Sequence, residues 1–165
     1  EKIHQKVEDG SDNTTSSTAV SKSSVNGPSV HSTQALQVGW GSSSASMEYA
    51  IPSGQQDVSG YEVLSFRVGM TNAGSNPVSG TQDFRVELVS GSNQRSTHAA
   101  NFDQIPVPYD RPGTDHNVMT TVRIPLHSFI VNNSNVDLTD IDLIRFKFNH
   151  PSQGEIYVDD IEFSR

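Results

Sequence analysis

Polar and apolar residues alternate with a period of two along most of the chain, and the run that departs from this is the last one, Gly154 to Arg165, GEIYVDDIEFSR. Ile156 and Val158 share one parity and Ile161 and Phe163 the other, so a regular strand would bury one pair and expose the other. A β-bulge at the adjacent carboxylates Asp159 and Asp160 would bury both pairs and re-aim the acidic side chains. The spacing therefore predicts a bulged strand whose carboxylates face something specific, with a cation as the candidate.

Elsewhere the alternation is regular. In YEVLSFRVGM, Leu64, Phe66, Val68 and Met70 form one face and Ser65, Arg67 and Gly69 the other; in DFRVELVS, Phe84, Val86 and Leu88 alternate with Arg85 and Glu87. Leu36, Val38 and Trp40 read the same way, as do Met47, Tyr49 and Ile51, then Val122, Ile124 and Leu126, and finally Ile144, Phe146 and Phe148. One dry and one wet face per strand is the pattern of antiparallel sheets. GSNQ predicts a hairpin turn into a weaker strand with Ser96, His98 and Ala100. Asp103 to about Asn117, with three prolines, reads as the longest connection. A short helical turn is expected around Ser128 to Ile130 and a polar turn around Asp137 to Asp140. Residues 1–34 are dominated by Ser, Thr, Asn, Asp and Gly and, on composition alone, read as disorder. Roughly eight to ten strands with closely spaced turn signals and no helix-period segment predict an all-β antiparallel sandwich. Parallel βαβ folding lacks its crossover helices.

Composition narrows the partners. At 165 residues the chain is expected to be one domain, 1–165, with a single core. A net charge of −8 argues against nucleic acid or an anionic membrane as partner. With no cysteine, a metal would be held by oxygen or imidazole, which favours a hard cation such as calcium. No apolar run approaches the ~18 residues of a transmembrane helix. The chain begins at Glu1 rather than Met, so the expectation is a module excised from a larger, processed protein.

Six motifs then point to a family: KVEDG, VHSTQAL, YEVLSFRV, the IPL–SF segment, DLTDIDLIRFKF and IYVDDIEF. Together, in this order over nearly the whole chain, they resemble the galactose-binding-like jelly roll of non-catalytic carbohydrate-binding modules. The resemblance implies an extracellular module that targets a covalently linked catalytic domain of a secreted bacterial hydrolase to polysaccharide or oligosaccharide; a monomer is the default expectation. It also implies a structural calcium tying the first strand to the last, with Glu8 of VEDG, Asp159 of VDDI, and the carbonyls of Ser32 and Gln34 at the matching positions. Thr33 stands where such modules usually carry glycine. The plainer reading of these acids is that they are solvated or capping carboxylates. The alternative function is a structural accessory domain of a secreted hydrolase or surface protein that binds no sugar.

With Phe66, Phe84 and Phe146 inward, Arg67, Arg85, Glu87, Arg145 and Lys147 project outward. They can pair across strands as an ion lattice, or form a polar platform on which Arg67, Arg85 and Arg145 donate to sugar hydroxyls or uronates. The aromatic candidates for sugar stacking are Trp40, Tyr49, Tyr61, Tyr109 and Tyr157. Trp40 and Tyr49 have core parity; Tyr109, in the proline-rich connection beside Arg111, is the favoured ligand residue, with His98 and His116 as companions. Catalysis is not expected. The Gly-x-Ser-x-Gly, His-Glu-x-x-His and Glu-x-Asp-x-x-Glu patterns are missing, and no paired-carboxylate arrangement typical of a glycosidase is legible.

Overall fold

The computed structural model describes residues 4–7, 12–26, 34–77, 82–111, 114–132, 134–149 and 151–165. In chain order these hold the strands β1 (His4–Lys6), β2 (Ser16–Thr18), β3 (Val20–Asn26), β4 (Gln34–Trp40), β5 (Ala45–Ala50), β6 (Val63–Met70) and β7 (Arg85–Ser90). There follow β8 (Asn93–His98), β9 (Tyr109–Arg111), β10 (Thr114–His116), β11 (Thr120–Pro125), β12 (Leu143–Phe148) and β13 (Gly154–Ser164). One sheet has the order β11-β6-β13-β4-β3, with β1 also on β13; the other is β2-β5-β12-β7-β8. Every pairing is antiparallel, and the two sheets form the expected jelly-roll sandwich.

Aromatic rings join the layers. Phe66 of the first sheet meets Phe146 of the second at 5.2 Å between ring centroids, and Phe84 lies 5.2 Å from Phe146 and 5.5 Å from Phe148. Trp40 stacks on Phe148 at 4.5 Å, and Tyr49 meets Phe146 edge-on at 6.0 Å. Trp40 and Tyr49 are both buried, as their parity required. Offset and edge-on pairs of this kind add to the burial of the rings themselves.

In β13, register with β6 is continuous to Asp159↔Arg67 and resumes at Glu162↔Ser65, so Asp160 and Ile161 together oppose the single residue Phe66. Asp160 takes the left-handed conformation, φ 52. Ile156, Val158, Ile161 and Phe163 are all fully buried, the result the predicted bulge was required to give.

Three regions differ from the sequence reading. The Ser- and Thr-rich start of the chain holds β2 and β3: seven residues of β3 pair with β4, and β2 pairs with β5. Each is the terminal strand of its sheet's order, so hydrogen bonds to a buried neighbour hold it in place; β2 has no apolar residue of its own, and in β3 Val20 also packs against the core. Ala19, φ 54, is the single residue at which the chain passes from one sheet to the other. The long connection is not structureless, because β9 and β10 pair in it as a short ribbon, Tyr109 opposite His116. Ala100 belongs to a 3-10 turn, Ala99–Asn101, rather than to the strand before it. The expected helical turn is a 3-10 segment, Leu126–Phe129, and Asp140 donates its N–H to the carbonyl of Asp137 at 3.1 Å in the predicted polar turn.

Phe146 sits at the centre of the aromatic cluster. Phe146→Ala is expected to destabilise the protein by roughly 3–5 kcal/mol through lost burial and the cavity left behind, read as a lowered midpoint in guanidinium unfolding; a loss under 1 kcal/mol would show that the two layers do not depend on this contact.

Candidate functional site

The carboxylates of the bulge have unlike surroundings. Asp159 is 2% exposed, and its Oδ1 accepts the backbone N–H of Asp160 at 2.8 Å. Burial, and after it the neighbouring charge of Asp160, pushes the Asp159 carboxyl above the usual carboxylate range. Asp160 is partly exposed and meets Lys6 at 2.8 Å and Arg67 at 3.7 Å. Topology brings two further segments to this place: β1 and β4 lie on the same edge of β13, pairing with Glu162 to Ser164 and with Gly154 to Val158 on either side of the bulge. Gln34 starts β4. Glu8 and Ser32, expected beside it, lie outside the described residues. Among the described residues no group of three or more His, Asp or Glu side chains is gathered as a metal site.

The charged residues expected on one outer face occupy two. Arg67 is on β6 in the first sheet, while Arg85, Glu87, Arg145 and Lys147 are on β7 and β12 in the second. Parity says which way a side chain leaves its strand but not which sheet the strand joins, and this separates Arg67 from the others. On the second sheet Arg145 stands in register with Glu48 of β5 and Glu87 of β7. Its Nε donates to Glu48 Oε1 at 2.6 Å and its Nη1 to Glu87 Oε2 at 2.5 Å, with Gln94 Oε1 at 3.3 Å. Lys147 lies 3.7 Å from Glu87. Burial works against the charge on Arg145, but the hydrogen bonds and charges of the two glutamates outweigh it and hold its pKa above the ordinary value. Glu87 points away from the core yet is only 3% exposed, so it lies on the floor of this polar surface beneath its neighbours.

The next row continues the lattice, since Lys147 pairs in register with Arg85, and Arg85 with His98. Arg85 Nε donates to His98 Nε2 at 3.2 Å, and His98 Nδ1 meets Asp83 Oδ2 at 2.5 Å. With Nε2 accepting, the network assigns the proton to Nδ1, which donates to Asp83. The face thus alternates fixed donors and acceptors across β5, β12, β7 and β8. A sugar hydroxyl, which both donates and accepts, suits such a surface.

Tyr109 is 57% exposed on β9; Arg111 is on the same strand, its side chain outside the described part. The connection that carries the ribbon is anchored at one end of the sandwich, where Ile105 bridges Gln82 just before β7 and Pro106 accepts the N–H of Met70 at 3.1 Å. That is also the end at which β7 starts with Arg85 and β8 finishes with His98. Tyr157 was named among the stacking candidates without being placed on a face, and Gln94 was not named at all. Tyr157, of opposite parity to Ile156 and Val158, lies on the outer face of the first sheet, where Asn117 Nδ2 reaches its hydroxyl at 3.5 Å; that parity was a readable signal. Gln94 carried none, because its role depends on the pairing of β7 with β8.

The family model described as carbohydrate binding domain 30 matches residues 2–165. No curated protein matches the chain. Among solved structures, the family 11 carbohydrate-binding module of a cellulosomal cellulase of Clostridium thermocellum superposes with a TM-score of 0.71 at 17% identity, over 98% of this chain and 94% of that one. The family 11 module from the same organism in complex with a beta-1,3-1,4-mixed-linked tetrasaccharide gives 0.69 at 18% identity, over 98% and 95%. A family 30 carbohydrate-binding module gives 0.73 at 12% identity, over 98% and 87%. At these identities the likeness to the solved structures is one of fold.

The Glu48–Arg145–Glu87 lattice has a measurable consequence. Arg145→Ala leaves the buried Glu87 carboxylate with only the more distant Lys147, and is expected to cost roughly 2–4 kcal/mol; adding Glu87→Gln is expected to recover at least 1 kcal/mol, the non-additivity that marks a coupled pair. Strict additivity in denaturant unfolding would show that the lattice is not coupled.

Proposed function

The chain belongs to the carbohydrate binding domain 30 family, and from that premise we propose that it is a non-catalytic module holding a neutral polysaccharide against the outer face of the β5-β12-β7-β8 layer, with the Tyr109 ribbon at the end of that face. The observation that carries this is the lattice: an outward glutamate, Glu87, 3% exposed, held with Glu48 by one guanidinium. Because the Arg145 fork already engages two carboxylates and Arg85 engages His98, the surface is matched to neutral vicinal hydroxyls rather than to uronates, which would need an open fork. The mixed-linked tetrasaccharide of the similar family 11 complex makes a neutral β-glucan the first ligand to test. In this reading the module is extracellular and keeps an attached enzyme on its substrate.

A structural calcium belongs to the same proposal. Asp159, a buried carboxylate held above its usual pKa, would hold the ion together with Glu8 and the carbonyls of Ser32 and Gln34, and the ion would fasten the ends of β1 and β4 to the bulge. A hard cation taking carboxylate and carbonyl oxygens suits this donor set.

A second reading, an accessory domain that packs on a neighbouring domain without binding sugar, is favoured by the exposed Val107, Tyr109 and Val118. Calorimetry separates the two. Mixed-linked β-glucan oligosaccharides should bind, and Arg85→Ala or Tyr109→Ala should weaken binding at least tenfold, about 1.4 kcal/mol, with little change in Tm; silence across neutral and acidic polysaccharides would select the accessory domain. For the metal, calcium at ~100 times its Kd adds about 2.7 kcal/mol, roughly 5–10 °C for a domain of this size. Equal Tm values with calcium and with chelator would remove calcium from the proposal.

A further inference from the structure

We infer that the outer face of the other sheet carries a second saccharide-binding groove, centred on Glu155 and Gly39 and built for a neutral, hydroxyl-rich ligand. Ser21 of β3, Gly39 of β4 and Glu155 of β13 lie side by side in register. A Cβ at Gly39 would stand 2.8 Å from Ser21 Oγ and 3.3 Å from Glu155 Oε2, so both polar atoms lean over the bare backbone of β4 from either side. The depression left there has a volume of about 380 Å³, within the ~300–1,000 Å³ of small-ligand sites. A smaller one of about 80 Å³ continues past Ser23 and Gln37. The next row along is Tyr157, opposite Gln37, which places an aromatic ring beside the polar groups.

The carboxylate in this groove is held in position. Thr71 Oγ1 donates to Glu155 Oε1 at 2.7 Å, while Oε2 faces the space above Gly39. Asn76 clasps the backbone of the same residue, Nδ2 donating to its carbonyl at 2.7 Å and Oδ1 accepting its N–H at 2.8 Å. Gln82, fully buried, donates to Asn76 Oδ1 at 2.9 Å. This chain of bonds ties the segment carrying Ser75, which lines the groove, to the start of β13. A fixed carboxylate, serine hydroxyls and an amide complement vicinal hydroxyls, whereas an anionic ligand would meet Glu155 within a chain of net charge −8. Lys22, on the groove's margin, engages Asp12 at 3.0 Å. A module with a saccharide site on each sheet would bridge two glycan chains and gain avidity on a dense matrix.

The groove shares with the proposed function only the class of ligand, so the two can fail separately. In a ¹H–¹⁵N titration with a mixed-linked β-glucan tetrasaccharide, amides at Ser21, Gly39 and Glu155 are expected to shift as a set distinct from those at Arg85 to His98. Gly39→Leu, which fills the groove, should abolish the first set and leave the second. Glu155→Gln, which keeps an acceptor for Thr71, should weaken the first set at least tenfold with an unchanged Tm. Shifts confined to the Arg85–His98 face would overturn the inference while sparing the first site. So would Ser21, Gly39 and Glu155 shifts that survive both substitutions. Shifts confined to the groove would sustain it and overturn the first.

Discussion

Three strands of the first sheet, β6, β4 and β1, pair directly with β13, and β13 depends on its bulge. The strand spans eleven residues, Gly154 to Ser164, and accepts β6 along one edge while sharing the other between β4 and β1. Without the extra residue either Ile156 and Val158 or Ile161 and Phe163 would face water. Burying a pair of such side chains is worth about 3–6 kcal/mol, more than the ~1–3 kcal/mol cost of a left-handed residue at Asp160. The bulge follows from that balance, and with it the place where β1 ends, β4 begins and Asp159 is enclosed.

The two outer faces answer the problem of polar groups on a sheet differently. On β5, β12 and β7 the charges neutralise one another across strands, and Glu87 can be nearly buried because Arg145 and Lys147 are in reach. On β3, β4 and β13 the polar groups are instead organised around the missing side chain of Gly39, with Glu155 fixed by Thr71 and Asn76. The first surface is satisfied within itself and presents alternating partners to a ligand. The second leaves one carboxylate oxygen turned toward open space.

Where a side chain's environment depends on its own strand, the sequence was sufficient. Alternation placed Phe66, Phe146, Trp40 and Tyr49 in the core, and the change of parity in the last strand located the bulge to the residue. Where the environment depends on a partner strand, it was not. Nothing in SSTAVSKSSVN distinguishes disorder from β2 and β3, because their stability comes from hydrogen bonds to β5 and β4. Arg67 has the same parity on its strand as Arg145 has on its own, and only strand order assigns the two to different sheets.

The sequence by itself determined which apolar side chains of the alternating strands are buried, that the fold is an antiparallel sandwich, and that its last strand must bulge at Asp159 and Asp160, since these follow from a two-residue repeat and the cost of wetting apolar side chains. Only the tertiary structure decided which polar residues meet. Arg145 finds Glu48 and Glu87 at separations of 97 and 58 residues, and Glu155 finds Thr71 and Asn76 at 84 and 79. Such contacts depend on strand order and register, which no local pattern encodes, and both proposed binding surfaces are made of them.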